Sequence, residues 1–356
     1  MVNREFLLHQ NPGVGLVQQA AAIGASSAHI SDDFAAALFP KSEIILSDRI
    51  VSHGRQYLKT IVQQIETEIC VIAAKDYGLT HDIIIEIGNS DRGHCYPLLQ
   101  NAGLLETKML LDHVFTCSQR VELGARLLRK ISQTDLESAL IRHLDNEDRA
   151  IADAAMALLV AQSRDISAGA GSGSGAINAH IDNLPAEILF ALVWPVVAAI
   201  QKLSSYDGSE LTKAAEKLLG RHDEGAGTQS RAQRLAQLVD QQTDSENLHP
   251  LHDGLDLFLA RLAKRSGLTV DQLILFTAEP NMMRFVLAMR AINLPAQQAL
   301  SIFAVLEGGG KLLTPASYNE IDHRQAVALV KKWSSNALYQ DALHQLKVHY
   351  AGLSEE

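Results

Sequence analysis

Cysteine is nearly absent from this 356-residue chain. Cys70, Cys95 and Cys117 are odd in number and lack Cys-x-x-Cys spacing, which excludes a disulfide framework and a thiolate zinc finger. Cys70 sits in the apolar run Ile69-Cys70-Val71-Ile72, the setting of a buried, reduced thiol. Aromatic residues are only 5% of the chain and charged residues 20%. No stretch alternates at period two for more than a few residues, and β-branched runs are scarce, so strands are not expected. A basic block is also missing. The net charge is −10, with −6 carried by residues 1–166 and −4 by the remainder. Nucleic-acid binding without sequence preference needs clustered Lys and Arg against phosphates, so the charge distribution argues against it. The N-terminus shows no basic segment followed by an apolar one, so a secretory signal is not expected. The most apolar stretch, Ile188 to Ile200, contains Pro195 and falls short of the ~20 residues of a membrane span. It is expected to be a buried core helix without membrane insertion, and the protein is expected in the cytoplasm.

What the chain does have is Ala and Leu in helical periodicity, and an internal echo. Gly78-Leu79-Thr80-His81-Asp82 returns as Gly267-Leu268-Thr269-Val270-Asp271. Each copy follows a long apolar-periodic helix, which Gly78 or Gly267 is expected to close in a left-handed conformation, with Thr80 or Thr269 expected as the N-cap of the next helix. Each is followed at similar spacing by another start signal, Ala102-Gly103-Leu104-Leu105 or Ile292-Asn293-Leu294-Pro295. Such self-similarity predicts stacked helical units sharing a core. Leu58, Ile61, Val62, Ile65, Ile69 and Ile72 form one stripe at 3-and-4 spacing. Thr134 with Glu137, and Thr269 with Gln272, are capping-box patterns. Pro185, Pro280, Pro295 and Pro315 fit first helical positions, and Gly308-Gly309-Gly310 ends the helix that starts near Pro295. The one low-complexity stretch, Ala168 to Gly175, reads as a flexible linker, since Gly is about 1 kcal/mol worse than Ala in a helix. The expected organisation is an N-terminal helical-repeat half over 1–166, a Gly/Ser-rich linker over 167–178, and a C-terminal half over 179–356. The second half carries a polar, loop-rich insertion at about 220–248.

A weaker echo lies in the first half: Asn89-Ser90-Asp91-Arg92 and Asn146-Glu147-Asp148-Arg149 each precede a Leu-rich helix. Residues 139–159 pair a Leu-rich helix, an acidic turn and an Ala-rich helix. Asp145 and Asp148 are placed to cap the second of these helices. This resembles a degenerate HEAT-type repeat, in which Ala152 stands where an Arg is usual. With Leu262-Ala263, Ser266-Gly267-Leu268, Asp271 and Leu287 through Asn293-Leu294-Pro295, the chain over about 80–300 resembles an uncharacterised alphaproteobacterial family known only as a domain of unknown function with HEAT-like helices. The resemblance implies a cytoplasmic bacterial protein of helical-repeat type and lends no catalytic residues.

Few constellations point to chemistry. His249, His252 and Asp256 form the best metal-like cluster, with His252 and Asp256 one helical turn apart. His94-Cys95 beside Asp91 suggests a thiol and its base, but adjacent helical residues point about 100° apart. Gly308-Gly309-Gly310-Lys311 lacks the upstream Gly and the Ser or Thr of a phosphate loop. Gly171-x-Gly173-x-x-Ala176 has no preceding strand. No cofactor is expected. Met282, Met283 and Met289 with Arg284 and Arg290 form the candidate protein-binding face, the alternative being core methionines that fill gaps between degenerate repeats. Lys331-Lys332-Trp333 is a second candidate contact, the alternative being a Trp packing anchor with the lysines solvated beside it. The expected protein is all-α, a HEAT-like pair of related halves. Its expected role is non-catalytic, a cytoplasmic scaffold that binds a protein partner. The alternatives are an enzyme with a metal or cleft site between the halves, and a HEAT-like nucleic-acid binder.

Overall fold

The computed structural model describes residue 17 and residues 47–88, 93–130, 140–169, 179–206, 208–242, 248–307 and 313–335. Among these residues every regular element is a helix, so the protein is all-α. Two compact units are present: Ala28–Asp244, and Ser245–Glu356 with Met1–Ser27.

The first unit contains α1 (Asp48–Tyr77), α2 (Asp82–Gly88), α3 (Cys95–Asn101), α4 (Lys108–Leu128), α5 (Arg149–Gly169), α6 (Ala186–Ser204), α7 (Ser209–Arg221) and α8 (Thr228–Gln242). α1 is its axis. The stripe Leu58, Ile61, Val62, Ile65, Ile69 and Ile72 is buried throughout, as the spacing predicts. Helices α2, α3, α4, α6 and α7 all pack on α1. Asp76 near the end of α1 meets Lys217 at 2.9 Å and Arg221 at 3.3 Å on α7. The unit therefore runs across the Gly/Ser segment, and the break falls between residues 244 and 245 instead of at 167–178. The physical reason is that loop closure grows costly only slowly with length, so a glycine-rich composition does not by itself separate domains. The apolar face of α7 (Leu211, Ala214, Ala215 and Leu218) decides the packing.

The expected polar insertion is also mostly regular. Thr228–Gln242 is helix α8, packed on α5 through buried Ala232, Leu235, Ala236 and Val239. Four small or aliphatic residues at 3-and-4 spacing suffice, because the intervening Gln and Arg are good helix formers. Ahead of α5, Asp148 supplies the cap, accepting the Ala150 N–H at 2.9 Å. The Asp145 N–H closes on the Ile141 carbonyl at 3.3 Å instead.

The second unit contains α9 (Pro250–Ser266), α10 (Val270–Thr277), α11 (Met283–Ala291), α12 (Ala296–Leu306), α13 (Pro315–Glu320) and α14 (His323–Ser334). Here α11 is the axis, touching α9, α10, α12 and α14. Pro315 takes the first helical position behind a Thr314 cap, whereas Pro185 and Pro295 stand one residue earlier, at N-cap positions. Helix α12 ends at Leu306. The Gly308–Gly310 run, the Thr134–Glu137 pattern and Asn89 to Arg92 lie outside the described residues.

The echo is real in local structure. Gly78 (φ 67) and Gly267 (φ 74) both close the preceding helix in the left-handed region, where a Cβ is strained. Gly103 (φ 70) and Asn293 (φ 57) repeat the match downstream. Leu104 N–H reaches the Leu99 carbonyl at 3.0 Å, and Leu294 N–H reaches that of Met289 at 3.1 Å. The packing does not repeat. In the first copy the long helix carries its successors; in the second, α12 rests on α11 and α13. The N-caps differ too. Thr269 and Gln272 form a complete capping box, with bonds of 3.1 and 2.9 Å. Helix α2 starts only at Asp82, with His81 accepting the Ile84 and Ile85 N–H groups, so Thr80 is not its cap. Three residues after Thr80 stands Ile83, which cannot return the bond that Gln272 makes. Replacing Thr269 by Ala is expected to cost about 1 kcal/mol in urea unfolding, and replacing Thr80 by Ala only a few tenths. Equal losses would contradict this difference.

Candidate functional site

The residues of the expected protein-binding face are core residues. Met282, Met283 and Met289 are buried, as is Arg284. Every residue from Met283 to Met289 is buried, because α11 is enclosed on all sides by its neighbours. Arg284 is held by Glu279: its Nε donates to Oε1, and its backbone N–H donates to Oε2 at 3.3 Å. The guanidinium also lies 4.2 Å from the centre of the Phe276 ring and 5.9 Å from that of Trp333. Burial pushes the Glu279 carboxyl up to about 7, against the pull of Arg284. The chain reaches this geometry through consecutive left-handed residues, Asn281 (φ 59) and Met282 (φ 49). Arg290 is half-buried. Its Nε donates to the Ile321 carbonyl at 2.9 Å and its guanidinium lies 5.7 Å from the Tyr318 ring centre. Trp333 anchors α14 edge-on against Phe276, with ring centres 5.5 Å apart, while Lys331 and Lys332 stay exposed beside it.

The metal-like cluster does not assemble. Gly254 breaks the helix between His252 and Asp256, with φ 70 and ψ 165, so the pair does not share a helical face. Both ring nitrogens of His249 are engaged: Nδ1 accepts the Leu251 N–H at 3.2 Å and Nε2 lies 3.0 Å from the Ser301 hydroxyl. Neighbouring Asp253 is paired at 2.6 Å with buried Arg261. Among the described residues no three His, Cys, Asp or Glu side chains are placed to hold a metal ion. The Ser301–His249 contact has the length of a nucleophile–base pair but the wrong polarity. Because Nδ1 is an acceptor, the neutral ring carries its proton on Nε2 and donates it to Ser301. Burial, and then the neighbouring His252, lower the His249 pKa to about 4, which keeps the ring neutral.

The thiols are equally structural in placement. Glu66, buried, accepts the N–H groups of His94 (3.0 Å) and Cys95 (3.1 Å) and so closes the start of α3. Cys95 points its thiol at the Val196 carbonyl, 3.9 Å away. Burial raises both Cys95 and Cys70, the latter to about 12, so neither is a ready nucleophile. Cys117 does lie 3.5 Å from His113 Nε2, which also meets the Tyr57 hydroxyl at 2.8 Å. The four-residue spacing of His113 and Cys117 is the signal that sequence reading passed over.

Helix α6 differs most from expectation. It runs 19 residues and is long and apolar enough to cross a membrane, with 44% of its apolar window buried. One side (Leu189, Leu192, Val193, Val196 and Ile200) packs in the core, and α6 touches α1, α2, α3 and α7. The other side is open. Phe190 is 57% exposed, Ala191 and Ala198 are exposed, and Trp194 and Pro195 are half-buried. The Phe190 and Trp194 rings meet edge to face, with centres 6.2 Å apart. Glu187 and Lys202, both exposed, stand at the two ends of this stripe. Pro195 has no N–H for the Ala191 carbonyl, which is tolerated because that carbonyl is on the open side. Comparison with known protein families, curated proteins and solved structures finds no match to this chain.

Proposed function

We propose that this protein is a non-catalytic interaction or scaffold protein of helical-repeat type, working in the bacterial cytoplasm through protein–protein contacts. The observation that carries the reading is the outward face of α6. An aromatic pair with alanines and a proline, solvent-facing on a helix anchored in the core, is the composition of an interaction surface. The recurring left-handed helix ends at Gly78, Gly103, Gly267 and Asn293 support the helical-repeat part of the proposal. An enzyme using His249, His252 and Asp256 draws no support from their geometry. Cross-linked capture from host lysate is the test. Wild-type protein is expected to retain discrete partners, and the surface variant Phe190→Glu with Ala198→Glu is expected to lose them at an unchanged melting temperature. Equal capture by both proteins would sink the assignment of this face.

A further inference from the structure

We infer that the occupant of the open α6 face is the same face of a second copy of this chain, packed antiparallel about a two-fold axis. The inference rests on the reading of α6 as an interaction surface and names its partner.

The argument lies in the order of residues along the stripe. Glu187, Ala191, Trp194, Ala198 and Lys202 recur every three or four positions, so they share one side of the helix. They are also arranged symmetrically. Glu187 and Ala191 stand as far before the Trp194–Pro195 bond as Lys202 and Ala198 stand after it. Two copies related by a two-fold axis at that bond therefore bring Glu187 of each opposite Lys202 of the other. Ala191 then faces Ala198, and Trp194 faces Pro195. Such self-complementarity is what an isologous contact requires. A parallel arrangement would set like charges against each other at both ends, and a partner of uniform charge would satisfy one end only.

Chemistry agrees with the pattern. Glu187 and Lys202 form no ion pair within the chain among the described residues, and both are exposed. Alanines at 191 and 198 allow close approach on either side of the aromatic centre. Trp194 is backed edge-on by Phe190 and so is held in place as an anchor. From Glu187 to Lys202 the helix spans about 22 Å. One helix pair of that length gives an interface at the small end of the known range, so the dimer is expected to dissociate at roughly micromolar concentration. A lipid surface is the rival occupant for an apolar stripe of this kind, but it gives no reason for opposite charges equidistant from the centre.

Sedimentation of the full chain from about 1 to 100 μM tests the inference. Wild-type protein is expected to pass reversibly from monomer to dimer. Glu187→Lys and Lys202→Glu alone each place like charges face to face, and each is expected to weaken the dimer about tenfold or more. Combining both substitutions in one chain restores opposite pairs and is expected to recover most of the affinity. Mixing the two single variants is expected to form a heterodimer more readily than either forms a homodimer. A chain that stays monomeric at 100 μM overturns the inference, as do charge reversals without effect. Binding of a monomeric chain to phosphatidylcholine vesicles through Phe190 overturns it in favour of the lipid surface. A monomer that still captures lysate proteins through this face overturns the second-copy assignment while leaving the interaction reading intact.

Discussion

Replacing Arg284 by Ala is expected to destabilise the second unit by about 3–5 kcal/mol, the loss typical of removing one partner from a buried ion pair. Three contributions disappear together: the paired bonds to Glu279, the stacking on Phe276, and the contact that ties Trp333 of α14 to the rest. What remains is a carboxylate with no cation in an enclosed site. That carboxyl is already raised to about 7 by burial, and without Arg284 it rises further. The loss is therefore expected to be largest at alkaline pH and to shrink as Glu279 takes up a proton on acidification. Urea unfolding of the variant at pH 8 and pH 6 checks both size and direction. The pair Glu279→Gln with Arg284→Met keeps the volume and removes both charges, so it is expected to recover much of the stability. An Arg284→Ala protein as stable as the wild type would show that the guanidinium is solvated, and the account of α11 as an enclosed axis would fall with it.

The second large effect is acid lability. His249 is lowered from an ordinary histidine value to about 4, first by burial and then by His252. Above the ordinary value near 6.5 the ring is neutral in both the folded and unfolded chain and pH has no leverage through it. Between about 6.5 and 4 the unfolded chain binds a proton that the folded chain refuses, so stability falls as pH falls. Below about 4 this contribution levels off. The full span is worth up to about 3 kcal/mol. Chemical denaturation at pH 7, 5.5 and 4.5 is expected to show the decline, and His249→Asn is expected to flatten it while keeping a side chain able to cap α9. An identical pH slope in that variant would place the acid sensitivity elsewhere.

Sequence reading succeeded where one local rule acts alone. The α1 stripe needed only helical periodicity, and Gly78 and Gly267 needed only the left-handed preference of glycine. It failed where two signals compete. The stretch around 228–242 is polar on average, yet four small or aliphatic residues in register hold it as a helix. His252 and Asp256 have the spacing of neighbours on a turn, but Gly254 between them leaves the helical region. Met282, Met283, Met289 and Arg284 look like an adaptable surface because periodicity carries no information for a helix covered on every side. The cation that made the surface reading attractive is buried only because Glu279 meets it across a bend that sequence does not reveal. For α6 the error ran the other way. Its high apolar content suggested complete burial, but composition does not say which side a helix turns outward.

The placement of α7 on α1 changes how the chain divides. Asp76 reaches Lys217 and Arg221, and the Tyr77 hydroxyl reaches the Lys213 carbonyl, across a stretch of glycine and serine that composition marks as a cutting point. A fragment ending there keeps all of α1 but strips it of α6 and α7, baring the apolar surface that those helices cover. The division falls instead between residues 244 and 245, with Met1–Ser27 belonging beyond it, so a separately expressed second unit needs that N-terminal segment supplied along with Ser245–Glu356.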